Sequence, residues 1–147
     1  MLKMNKIIIG ADHAGFKVKE KIKKYLKELN YQVEDVGTHS EESIDYPLIG
    51  KKAAKKVAQT KSRGILVCGS GLGMTITANK IKGIRAALAY DTYTAKVARE
   101  HNNANILTLG GRTSSAKNYK TIVNTFLKTK FSKEKRHHRR VKEMDVL

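Results

Sequence analysis

The chain has one cysteine, one proline and no tryptophan in 147 residues. A lone cysteine excludes an internal disulfide and the stapled architecture of small secreted domains. No apolar run approaches the ~20 residues that a membrane-spanning helix needs, and the first residues carry no signal-peptide pattern. The expectation is a cytoplasmic protein with no membrane partner. Acidic residues are scarce, 13 against 30 lysines and arginines, for a net charge of +17. That balance alone would suit nucleic acid. However, aromatic residues make up only 6% of the chain, and no nucleic-acid-binding motif is present. Most of the charge therefore reads as solvated surface, with Lys17, Lys19, Lys21, Lys23, Lys24 and Lys27 expected on one helix exterior. Some of it is left for a small anion.

The hydrophobic fraction of 40% is enough for a core. Residues 1–147 are expected to form a single domain, with 130–147 a basic C-terminal helix or tail. Its apolar residues follow two alternating patterns. Lys6-Ile7-Ile8-Ile9-Gly10 is a continuous β-branched run, the mark of a parallel strand buried on both faces. Gly15 to Leu29 places Phe16, Ile22, Tyr25, Leu26 and Leu29 at helical spacing. Gln32 to Val36 alternates apolar and polar residues, as a strand near a sheet edge does. Pro47 suits the first turn of a helix running to about Gln59. Further strands are expected at Ile65–Cys68, Arg85–Ala89 and Asn105–Leu109. Further helices are expected over Met74–Lys80, Thr92–Glu100 and Ser115–Leu127. Five βα units with short connections predict a Rossmann-like, three-layer α/β/α fold around a five-stranded parallel sheet.

In such sheets the site lies beyond the carboxyl ends of the strands. Asp12, His13, Tyr46, Cys68, Tyr90 and Arg112 all fall at those ends. The densest signal is Cys68-Gly69-Ser70-Gly71-Leu72-Gly73, a small-residue turn between a strand and a helix. It points backbone N–H groups at whatever sits above the strand, and a helix N-terminus there favours a thiolate. Cys68 could equally be a buried small hydrophobe. Asp12 could serve only to cap the helix that follows, Tyr46 could be packing, and His101 could be a C-cap or a surface residue. Arg136 and Arg140 share a face if Ser132 to Met144 is helical. Lys133 to Arg140 could equally be a solvated tail or a nucleic-acid patch. No cluster has metal-ligand spacing, since His137 and His138 are adjacent and Cys68 has no second thiol.

Six segments, in order along almost the whole chain, resemble the family of type B ribose-5-phosphate isomerases and galactose-6-phosphate isomerase subunits. They are Gly-Ala-Asp-His-Ala-Gly-Phe at 10–16, Asp-Tyr-Pro at 45–47, Cys-Gly-Ser-Gly-Leu-Gly at 68–73, Ala-Asn-Lys with Gly-Ile-Arg-Ala within 78–86, Arg-Glu-His-Asn at 99–102, and Leu-Gly-Gly-Arg at 109–112. The ending Arg136-His-His-Arg-Arg140 also fits. The resemblance implies a reversible aldose–ketose isomerase working through an enediolate, with no metal or organic cofactor. It makes Cys68 the base and the N–H groups of Gly69, Gly71, Leu72 and Gly73 the anion hole. Ser70, where many members carry threonine, becomes a hydroxyl donor. His101 opens the sugar ring, with Asn102 as a substrate contact. Asp12 meets a ring hydroxyl, Tyr46 lines the substrate, and His13, Arg112, Arg136 and Arg140 face the phosphate. His137, His138 and Arg139 are left as surface. The family also implies dimers, sometimes tetramers, with sites between subunits. The substrate is expected to be ribose 5-phosphate, with a six-carbon sugar phosphate as the alternative. The galactose-6-phosphate subunits divide these residues between two proteins, whereas this chain carries all of them. A basic nucleotide- or RNA-binding module is the remaining reading, but it would not need Cys68 and His101.

Overall fold

The structure, a computed structural model, describes residues 5–147; the first four positions of the expected 1–147 domain lie outside it. Five strands, β1 (Lys6–Ala11), β2 (Gln32–Asp35), β3 (Arg63–Cys68), β4 (Ala86–Leu88) and β5 (Ile106–Gly110), form one parallel sheet in the order β2-β1-β3-β5-β4. The central strands are buried on both sides because their runs feed two apolar layers. Ile7, Ile9, Ile65 and Val67 face one layer, while Ile8, Leu66 and Cys68 face the other.

Helices α1 (Phe16–Glu28), α4 (Thr92–Glu100) and α5 (Tyr119–Lys128) cover the first layer. Helices α2 (Tyr46–Thr60) and α3 (Leu72–Asn79) cover the second. The chain after β1 thus turns to one face and the chain after β3 to the other. This leaves a crevice between their carboxyl ends. A final helix, α6 (Lys135–Asp145), follows the sheet. It starts three residues later than the basic-tail pattern suggested. No helix among the described residues is long and apolar enough to cross a membrane.

Two expectations need correction. The helix anticipated over Ser115–Leu127 is split. A short 3₁₀ turn spans Ser114–Ala116 and α5 begins only at Tyr119, because the Ser115 hydroxyl is drawn into the end of β5, donating to the Gly110 carbonyl. Lys19 is not on the surface but fully buried. It shares the inner face of α1 with Ile22 and Leu26, and its ammonium reaches Asp35 of β2 at 2.7 Å. Lys23 joins the same carboxylate at 2.8 Å. Burial pushes the Asp35 pKa up, but hydrogen bonds from Lys19, Lys23 and the Gly37 N–H outweigh it and hold the group below the ordinary carboxylate range.

Candidate active site

The carboxyl edge of the sheet carries one group of candidate residues. Asp12, 5% exposed, directly follows β1. Its Oδ1 accepts from the N–H groups of Ala14 and Gly15 at 2.9 and 3.1 Å, closing the turn ahead of α1 rather than capping the helix, whose N-cap is Gly15. The second oxygen makes no such bond to the turn. His13 accepts the Ile44 N–H at Nδ1 over 3.2 Å. The neutral ring therefore carries its proton on Nε2, as a donor. One face of the crevice is thus a carboxylate held by backbone amides beside an imidazole donor.

Cys68 ends β3 and is 3% exposed. The neighbouring β5 end is tied to it, because Gly111 N–H donates to the Cys68 carbonyl at 2.7 Å and Arg112 N–H to the Gly69 carbonyl at 2.9 Å. These bonds lay the Arg112 side chain across Gly69. Ser70 Oγ accepts the Leu72 N–H at 3.2 Å, closing the turn into α3 and leaving its own proton to donate outward. Gly71 takes φ 82°, a left-handed turn suited to glycine. At Gly73 a Cβ would stand 2.4 Å from the Tyr46 ring. Its absence lets Tyr46, at the start of α2, lie against the first turn of α3. Tyr90 lies at the same edge and is exposed. Asp91 caps α4 through the Thr94 N–H at 2.7 Å.

The other candidates lie at the opposite edge. Because α4 runs back from the end of β4 to the start of β5, its C-cap residue His101 and Asn102 sit by the strand amino ends. Strands of five or six residues put these two edges on the order of 15 Å apart. The cap reading of His101 is therefore geometrically correct. There its ring stacks on His137 of α6, with centroids 4.3 Å apart and planes within 8°. His137 is 5% exposed, which overturns its expected surface position. It shares the inward face of α6 with Val141. Burial first, then the charges of His101, Arg136 and Arg140, hold the His137 pKa below the usual imidazole value, with Glu134 opposing. Arg136 and Arg140 are both exposed and one turn apart on α6, with Arg136 Nε 2.7 Å from Glu134. His138 is exposed, as expected, and stacks on Phe131; Arg139 faces Glu143 at 3.8 Å.

The structure thus groups Asp12, His13, Tyr46, Cys68, Ser70 and Arg112 in one place and His101, Asn102, Arg136 and Arg140 in another. Sequence reasoning missed Lys19, Asp35 and His137. The available signal was positional, since Lys19 and His137 each stand three or four residues from apolar residues on a buried helix face. Among the described residues, no three His, Cys, Asp or Glu side chains are grouped as metal ligands.

The family described as ribose/galactose isomerase matches residues 7–144. The chain belongs to that family. Its relatives include ribose-5-phosphate isomerase B of Mycobacterium leprae, 43% identical over 92% of this chain and 85% of that protein. Galactose-6-phosphate isomerase subunit LacB of Clostridium acetobutylicum is 41% identical over 96% of this chain and 82% of its own. Among solved structures, a ribose 5-phosphate isomerase of Thermotoga maritima superposes with a TM-score of 0.92 at 49% identity, covering 97% of this chain and 98% of its own. This ribose/galactose isomerase fold therefore accounts for the whole sheet and both helical layers.

Proposed function

We propose that the chain interconverts ribose 5-phosphate and ribulose 5-phosphate in the cytoplasm, as a single isomerase domain acting in a homodimer or tetramer. The observation that carries the reading is the meeting of Asp12, His13, Cys68, Ser70 and Arg112 at the carboxyl edge of a chain matched to this family from residue 7 to 144. The Cys68 thiolate takes the proton from C2. The C–H electron pair becomes the C1=C2 bond of the enediolate, and the negative charge moves onto O1. Returning the proton to C1, while a second proton passes from O2 to O1, completes the ketose. The N–H groups of residues 69–73 and the Ser70 hydroxyl hold the oxygen charge where it develops. Asp12 orients a sugar hydroxyl. His13 Nε2–H and Arg112 face the phosphate.

A single chain cannot close this site, because His101, Arg136 and Arg140 stand a strand length away. A second copy brings its amino edge over the first copy's crevice, so that His101 opens the sugar ring and the two arginines complete the phosphate clamp. The surface of α3 supports this arrangement. Leu72 and Ile76 lie one turn apart on α3 yet are 56% and 62% exposed, and Leu48 is 64% exposed at the start of α2. Apolar residues on this scale beside a crevice mark a contact surface. Purified protein is expected to convert ribose 5-phosphate faster than allose 6-phosphate. The relation to a galactose-6-phosphate isomerase subunit keeps a six-carbon substrate as the second reading, and preferential turnover of the hexose phosphate would install it.

A further inference from the structure

Three arginines converge at the amino edge of the sheet, away from the cysteine crevice. Arg63 opens β3, Arg85 immediately precedes β4, and Arg99 lies in the last turn of α4. The strand register pairs Gly64 with Ile106 and Ile106 with Ala86. Arg63 and Arg85 therefore stand level across one intervening strand, about 10 Å apart by strand spacing. Most of the bonds that fix their guanidiniums run to neutral oxygens. Arg63 Nη1 donates to the Leu127 carbonyl at 2.9 Å and Arg85 Nε to the Asn103 carbonyl at 3.0 Å. Arg99 donates through Nη1 to the Ala104 carbonyl at 2.6 Å and to Asn103 Oδ1 at 3.0 Å, and through Nε to the Thr129 carbonyl at 3.4 Å.

These side chains line a cleft of about 740 Å³ together with Lys61, Lys128 and Lys130, and no aspartate or glutamate among the described residues lines it. Among the described residues the only carboxylate paired with the trio is Asp145, 2.8 Å from Arg85 Nη1. Each guanidinium has five N–H donors, and the bonds above use fewer than that. Among the described residues no buried side-chain nitrogen lacks a partner, and all three arginines line the cleft, where a ligand can meet their unused donors. Burial, with the charges of Arg63 and Arg85, holds the Arg99 pKa down at about 10. Rigid, planar donors with uncompensated charge suit phosphate oxygens better than flexible lysines would. The volume lies within the range of small-molecule sites.

We propose that this cleft binds a small polyanion bearing phosphate groups, gripped by Arg63, Arg85 and Arg99, with Lys61, Lys128 and Lys130 at its rim. The inference stands on the cleft and not on the isomerase reading. Inorganic pyrophosphate is the probe, titrated calorimetrically into the full chain at about 150 mM salt, where diffuse surface attraction is screened. An Arg112→Ala/Arg140→Ala background removes donors of the substrate-phosphate site and is expected to bind one pyrophosphate per chain. Adding Arg63→Gln, Lys128→Ala and Lys130→Ala should weaken binding by about tenfold or more. Removing the same charge from the outer face of α1, with Lys17→Ala, Lys21→Ala and Lys24→Ala, should change it by less than about threefold. If the Arg63 variant fails to fold, Lys61→Ala/Lys128→Ala/Lys130→Ala, all at exposed positions, carries the same comparison. Loss of all binding in the Arg112/Arg140 background, or equal weakening by the cleft and α1 sets, would overturn the proposal.

Discussion

The two edges of the sheet hold their chemistry in different ways. At the carboxyl edge, the groups are set by backbone: Asp12 by two turn amides, Cys68 by a strand end, Arg112 by a main-chain bond to the cysteine loop. At the amino edge, His101, Arg136 and Arg140 are set by side-chain packing, through a ring stack between His101 and His137 and an ion pair that ties the end of α6 to Arg85. The first edge is rigid enough to build an anion hole. The second presents exposed Arg136 and Arg140 with the half-buried His101 beside them, the groups that the proposal gives to a neighbouring copy's site. Substitutions at the first edge should therefore damage chemistry, and those at the second should damage binding.

Cys68→Ala sharpens that contrast most. Removing the proposed base is expected to lower kcat by roughly 10²–10⁴-fold while substrate affinity stays within a few-fold, because the proposal gives binding to the loop amides and arginines. Rates measured against single-turnover binding would check this, and substantial turnover by the variant would move the base elsewhere.

Next in size is the support behind the first edge. Lys19→Met leaves the Asp35 carboxylate to Lys23 and the Gly37 N–H and should lower stability by about 1–3 kcal/mol, read from urea unfolding. Thr38 follows Asp35 by three residues and pairs with Ala11, beside Asp12, so kcat should fall as well. The pH dependence has a definite sign. Because the folded Asp35 pKa lies below its unfolded value of about 3.9, its stabilisation is complete above that value and is lost as pH falls through the folded pKa. Asp35→Asn should remove that part of the acid-side loss, and an unchanged acid profile would contradict the assignment.

At the second edge, Arg136→Ala or Arg140→Ala should raise KM about ten- to a hundredfold, the worth of a charge-assisted phosphate contact. Arg139→Ala, about 100° around the helix, should cost little. Equal, salt-sensitive losses at all three positions would turn α6 into a diffuse basic tail. The smallest effect is expected from EDTA, which should leave the rate unchanged. Loss of activity restored by one divalent ion would bring a metal into a site where, among the described residues, no three His, Cys, Asp or Glu side chains are grouped as ligands.

The contrast also explains what could be read without the fold. Strands such as Lys6–Gly10 and the cysteine turn are local signals, set by β-branched runs and by glycines that a tight turn requires, and β2 was legible as an edge strand from its alternation. The five-stranded parallel sheet followed from the βα alternation. Lys19 escaped because charge reads as surface, and only the partner carboxylate sixteen residues away makes its burial tolerable. His137 escaped for a similar reason: its neighbours Arg136, His138, Arg139 and Arg140 are exposed, and the ring it packs on comes from another helix. The separation of His101 from Cys68 was fixed by the direction of α4. A list of motif residues does not contain that information, although strict βα alternation does.

The central claim is that the working site is shared between two copies, with Cys68 from one and His101 from the other. Mixing inactive Cys68→Ala and His101→Ala chains by co-refolding tests it directly. A mixed dimer then holds one site with both defects and one with neither. Since half of the dimers from an equal mixture are mixed, activity should return to about a quarter of wild type. If Cys68 and His101 instead serve the same chain's site, every site keeps one defect, and the mixture would stay as inactive as its parents.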